Sequence, residues 1–188
     1  MHLWFTADMT VPMALLALLD GAPAHGFALK RRYDGLLGQA SELRYGQVYS
    51  TLARLERDGL ADGVGIEPGE GADRKVYAIT EAGVAELDRW LQEPFLPGGR
   101  PAELFTRVVL ALASGRPVEA ILDAQRVVYL SRMRQLTATR NAGDAIDRLA
   151  ADFEIAHLEA DMRWIELAGA RLTDLRADVV ATIGARDE

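Results

Sequence analysis

Apolar residues recur along this chain in helical and strand-like rhythms, and the changes of rhythm divide it. From Met13 to Leu19 the run is nearly continuous, opened by Thr10 and Pro12 and closed by Asp20-Gly-Ala-Pro, which predicts a buried helix. Phe27, Leu29, Tyr33 and Leu36 or Leu37 supply the apolar contacts of a second helix over 26–37. Val48, Leu52 and Leu55 stand at i, i+4 and i+7, one buried stripe of a third helix within 44–60. Gly59 follows, where a left-handed residue would stop that helix. Two short strand-like runs, 61–67 and 75–79, enclose a glycine-rich acidic tip and predict a hairpin. Thr80 then caps a helix over 81–92 that turns Val84, Leu87, Trp90 and Leu91 inward.

The segment 94–101, Pro-Phe-Leu-Pro-Gly-Gly-Arg-Pro, cannot continue a helix and acts as a stiff joint. Beyond it the pattern is helical throughout. Leu104, Phe105, Val108, Val109 and Leu112 mark one helix, and Pro117 opens another that ends at Asn141-Ala-Gly143. A third begins near Asp144, carries Ile146, Leu149, Phe153, Ala156 and Ala160 at alternating steps of three and four, and extends towards Ile183 with a bend expected at Gly169. That alternation is the mark of a helix packed against another long helix. Three such helices cannot hide every apolar face from one another, so these five residues are the candidate interface of a two-fold dimer. The expected fold is mainly α. A winged helix-turn-helix domain with a two-stranded wing occupies 1–93, including an apolar arm at 1–9, and the joint at 94–101 leads to a helical dimerisation domain over 102–188.

The third helix carries the chemistry. Gln47, Thr51 and Arg54 repeat the helical spacing on a second stripe with Ser50 beside it, and all four can hydrogen-bond. Glutamine pairs bidentately with adenine and arginine with guanine in the major groove, so these are the candidate base readers. Arg44, Tyr45 and Tyr49 flank the helix N-terminus, where a cation, hydroxyls and backbone N–H groups favour phosphate. Arg74 and Lys75 at the wing, and Lys30 in the run Lys30-Arg31-Arg32, complete the candidate DNA contacts. A recognition helix followed by a hairpin with basic residues is the plan of a reader of double-stranded DNA.

Net charge changes that picture without reversing it. The chain is −7 overall, which at first sight speaks against nucleic acid. Yet charges more than about 8–10 Å apart are largely screened at physiological salt, so local segregation decides phosphate contact. Lys30, Arg31, Arg32, Arg44, Arg54, Arg57, Arg74 and Lys75 are eight of the nine cations in residues 1–92. The acidic background favours a competing reading, a winged helix that binds proteins and not DNA.

With no cysteine, disulfides and thiolate metal sites are excluded, and the three histidines have no metal-ligand spacing. No phosphate loop, nucleophile elbow or catalytic His/Cys spacing supports an enzyme, and no cofactor or metal is expected. The longest apolar run is about half of a membrane span, so a soluble protein is expected; the absence of a basic region and cleavage site at the N-terminus and of cysteines suits a cytoplasmic location.

Three motifs in order resemble the PadR family of bacterial transcriptional regulators. Ala-His-Gly-Phe-Ala-Leu (24–29) is similar to the opening of its second helix. Gly-Gln-Val-Tyr-Ser-Thr-Leu-Ala-Arg-Leu-Glu-Arg-Asp-Gly-Leu (46–60) is similar to its recognition helix, and Asp-Arg-Lys-Val-Tyr-Ala-Ile-Thr-Glu-Ala-Gly (73–83) to its wing strand and fourth helix. Glu-Leu-Phe (103–105) and Arg-Trp-Ile-Glu (163–166) resemble the longer subgroup with a helical dimerisation domain. Val76 departs from the aromatic that the family often shows, and the wing tip is unusually acidic. The resemblance implies a homodimeric repressor on inverted-repeat operators, released by a small aromatic effector. Trp90 is the candidate effector contact, since an indole offers a stacking face, although its inward position also suits a core residue.

Overall fold

The computed structural model describes residues 10–38, 42–68, 73–95 and 103–187. The apolar arm, the wing tip at 69–72 and residues 96–102 around the joint lie outside them.

The chain folds in the order α1 (Thr10–Gly21), β1 (Ala24–His25), α2 (Gly26–Leu37), α3 (Tyr45–Arg57), β2 (Ala61–Glu67), β3 (Arg74–Ile79) and α4 (Glu81–Gln92). Helices α5 (Glu103–Ala113), α6 (Val118–Ala142), α7 (Ala145–Ala170) and α8 (Leu172–Asp187) follow. Caps set these boundaries. The Nδ1 of His25 accepts the Ala28 N–H at 3.0 Å to start α2, and the Thr80 hydroxyl accepts the Gly83 N–H at 3.0 Å to start α4. The Asp144 carboxylate accepts from Ile146 and Asp147 at 2.8 and 3.0 Å to start α7. Gly59 ends α3 with φ +72°, and the Leu60 N–H returns to the Leu55 carbonyl at 2.8 Å. Gly115, with φ +70°, ends α5 in the same way.

The wing has one strand more than the pattern predicts. Ala24 and His25 pair antiparallel with Tyr77 and Val76, giving a three-stranded sheet in the order β1-β3-β2. A two-residue strand is too short for alternation to show in sequence. The β2–β3 ladder has an irregularity between Gly63 and Gly65.

Helix α1 is the centre of the core. Residues Ala14 to Ala17 are fully buried, with α2, α3, α4 and α5 packed around the helix. The apolar core therefore continues from the N-terminal helices into α5, where Leu110 and Ala111 are fully buried. Around the joint, Gln125 of α6 holds Phe95 by two hydrogen bonds, accepting its N–H at 3.1 Å and donating to its carbonyl at 2.8 Å. Arg116 bridges Asp20 at the end of α1 and Asp88 on α4.

Helix α7 lies along α6, burying Ala151, Leu158 and Ile165. It does not run on to Ile183: the chain turns at Arg171, and α8 folds back against α2 and α5 with Leu172 and Val179 buried. The break falls two residues beyond Gly169. Among the described residues, no helix is long and apolar enough to cross a membrane.

Candidate nucleic-acid interface

Helix α3 is anchored by its apolar stripe, with Val48 and Leu52 fully buried and Leu55 at 2% exposure. At about 100° per residue, the face opposite that stripe is centred on Gly46, Ser50, Ala53 and Arg57, all four exposed. Gln47 and Arg54 lie on one flank of this face, and Tyr45, Tyr49 and Glu56 on the other. The second stripe of helical spacing together with hydrogen-bonding capacity points to Gln47, Ser50, Thr51 and Arg54. Angle measured from the apolar stripe adds Gly46, Ala53 and Arg57 and places Thr51 beside the stripe.

Thr51 needs correction as a base reader. It is only 8% exposed, because its position turns towards the core. Its remaining surface lines an open cleft of about 200 Å³ with Val11 of α1, Gln47, Ser50 and Arg54. Gln47 is also engaged locally, since its Oε1 accepts the Arg44 N–H at 3.0 Å and closes the first turn of α3. The second lone pair of Oε1 and both Nε2 hydrogens are not used by that bond. The Ser50 hydroxyl donates back to the Gln47 carbonyl at 3.1 Å and is exposed.

Tyr45 and Tyr49 are roughly half exposed at the start of the helix, at 45% and 49%. Tyr49 lies over the first turn of α2, where glycine makes the room: a Cβ on Gly26 would sit 2.7 Å from the tyrosine ring. The Tyr45 ring stacks on Phe27 with centroids 5.7 Å apart and planes at 12°. On Phe27 rests the guanidinium of Arg74, 4.9 Å from the centroid.

Several of the predicted cations are already paired. Lys30 is bridged to Asp34, with its Nζ 5.3 Å from the centre of the Tyr45 ring. Lys75 donates to both oxygens of Glu56 at 2.6 and 2.7 Å. That hydrogen bond raises the lysine pKa and lowers the glutamate pKa, so the pair is ionised and close to neutral as a unit. Arg57 contacts Asp58 at 3.1 Å. Arg44 is exposed beside the helix N-terminus, and Arg74 has no ion-pair partner among the described residues. Of the four cations expected at phosphates, Arg44 and Arg74 are therefore the two without a carboxylate partner among the described residues.

Trp90 is corrected as an effector contact. It is 6% exposed and the buried Arg107 guanidinium covers its ring at 4.7 Å, which leaves no face for a planar ligand. The five candidate dimer residues have the opposite character. Ile146, Leu149 and Phe153 are 72%, 68% and 66% exposed, and Ala156 and Ala160 continue their stripe on the outer face of α7.

A buried helix, a second helix, an exposed recognition helix and a sheet-based wing define a winged helix-turn-helix domain. Residues 15–89 match the model of the transcriptional regulator PadR-like family. The Probable transcriptional regulator Rv1176c of Mycobacterium tuberculosis is 35% identical over 89 residues. That stretch is 47% of each chain, so the similarity spans about half the length of this curated relative. Among solved structures, Bacillus subtilis PadR in complex with operator DNA is 19% identical, with 85% of this chain and 96% of that one covered and a TM-score of 0.43. The same protein in complex with p-coumaric acid is 16% identical, with 96% and 97% covered and a TM-score of 0.40.

Proposed function

We propose that this chain is a sequence-specific DNA-binding regulator of transcription that works as a two-fold dimer. The observation that carries the reading is the outer face of α3, small and polar at its centre and flanked by Arg44 and Gln47, within a PadR-like domain. Gly46, Ser50 and Ala53 let the helix backbone approach base edges closely. Gln47, Ser50 and Arg54 read them, while Arg44, Tyr45, Tyr49 and Arg74 hold phosphates. Lys30 and Lys75 contribute less, because Asp34 and Glu56 neutralise them. Thr51, turned towards the core, reads no base.

The exposed stripe Ile146, Leu149, Phe153, Ala156 and Ala160 seats a second copy. Two-fold pairing sets the α3 helices to read inverted half-sites roughly 34 Å apart. The chain then acts as a repressor, released when a small effector favours a dimer with the wrong separation. Hydrogen bonds from Gln125 to Phe95 and the Arg116 bridge to α1 and α4 suit this coupling, since they tie the reader to the helical half. Trp90 has no part in effector recognition.

The overall charge of −7 and the pairing of Lys75 with Glu56 favour the protein-interaction module as second reading. Fluorescence-anisotropy titration of the DNA upstream of the chain's own coding region separates the two. Sub-micromolar binding that weakens steeply with salt supports the regulator. Absent or salt-insensitive binding supports the module.

A further inference from the structure

We infer that Phe27 is a positioning residue that fixes the wing base against the start of the recognition helix. The inference rests on the DNA-binding reading above. Four side chains from three elements form one column: Arg74 of β3, Phe27 of α2, Tyr45 of α3 and Lys30 of α2. The guanidinium lies 4.9 Å from the Phe27 centroid, the two rings stack at 5.7 Å and 12°, and the ammonium lies 5.3 Å from the Tyr45 centroid. All three separations fall within the ranges of attractive cation–π and offset-stacked contacts.

What distinguishes the Arg74 end of this column is its treatment of charge. Lys30 at the other end, and Lys75 outside the column, are each held by a carboxylate, which fixes the side chain and offsets its charge. An aromatic ring fixes a cation and leaves its charge intact. Arg74 is thus ordered and still available to a phosphate. Phe27 has no polar atom of its own, so it cannot contact DNA by hydrogen bond; it acts through Arg74 and Tyr45. Because it holds phosphate contacts and not base contacts, its loss weakens binding to every sequence alike.

The test is a double-mutant cycle on the full-length chain, with Kd measured on the upstream DNA and on an unrelated duplex. Phe27→Leu is expected to weaken both by a similar factor, roughly fivefold to tenfold. In an Arg74→Ala background the same change costs less than about twofold, because the partner is already gone. Phe27→Tyr keeps the stack and binds within about twofold of the wild type. NMR without DNA gives a second readout: the Arg74 side-chain protons are ring-shifted upfield in the wild type and in Phe27→Tyr, and unshifted in Phe27→Leu. Full additivity of Phe27→Leu and Arg74→Ala, or unchanged affinity in a folded Phe27→Leu, overturns the role of Phe27 alone. A wild-type chain that binds neither duplex overturns the DNA-binding reading, and this inference with it.

Discussion

Replacing Phe153 by glutamate tests whether the bare stripe on α7 is an interface. Phe153 is 66% exposed on the outer face of a helix whose inner face is already packed on α6. A phenylalanine has about 200 Å² to bury, so its exposed share is roughly 130 Å². At about 25 cal/mol per Å², covering it stabilises a dimer by about 3 kcal/mol per protomer, or about 6 kcal/mol for the two copies of an isologous contact. This is an upper bound, since association has its own entropic cost. Even half of it is about a hundredfold in the dimer constant. Glutamate removes that area and adds a charge that resists burial, while the exposed position spares the monomer fold. Sedimentation equilibrium at micromolar concentration should show a dimer for the wild type and a monomer for Phe153→Glu, which keeps its helical circular dichroism but melts lower because dimerisation no longer stabilises the fold. A variant that remains dimeric refutes the assignment of the stripe.

Other substitutions address the reader and the core. Gln47→Ala should relax base preference at one position per half-site, by about 1–3 kcal/mol of discrimination, whereas Arg74→Ala should weaken all sequences alike. Equal, sequence-independent losses from both, read by anisotropy on single-base operator variants, would count against the placement of Gln47. Gly83→Ala should lower the thermal midpoint by about 4–8 °C, because the new Cβ would lie 2.1 Å from the Leu60 carbonyl oxygen and 2.8 Å from Ile79. A neutral result in a calorimetric scan would mean that α4 can slide away from β2 without cost. The Tyr129 phenol is 3% exposed, and burial, with the Asp161 carboxylate adding to it, pushes its pKa up to about 12. The unfolded phenol ionises near pH 10, so this stability is intact below pH 10 and lost between there and pH 12. Urea titrations should show the wild type losing roughly 1–3 kcal/mol more than Tyr129→Phe across that window. Parallel losses would place the phenol in solvent.

Much of this architecture was legible because its determinants are local. The stop of α3 at Gly59, the Thr80 cap and the opening of α7 at Asp144 are each written within four residues. The exposed face of α3 was equally readable from Val48, Leu52 and Leu55, whose angle sets its centre at Gly46, Ser50, Ala53 and Arg57. What sequence could not give depends on distant partners. The burial of Thr51 depends on how α3 is set against the core around α1, and the return of α8 against α2 is decided by packing across the whole chain. The pairing of Ala24 with Tyr77 joins segments fifty residues apart with too few positions to show a period. Lys75 meets Glu56 only after the wing folds back on α3, so a cation counted as available is mostly spent. Trp90 shows the same limit, since its inward position was readable and the Arg107 that covers it was not.

Footprinting on the DNA upstream of the chain's own coding region tests the central claim most directly. Hydroxyl-radical cleavage with the full-length chain should show two protected half-sites on one face of the duplex, related by inversion and centred roughly 34 Å, about one turn, apart. Phe153→Glu should abolish the paired pattern at the same concentration. Protection of a single site, or none at concentrations where the chain is dimeric, would contradict a two-fold reader built on α3.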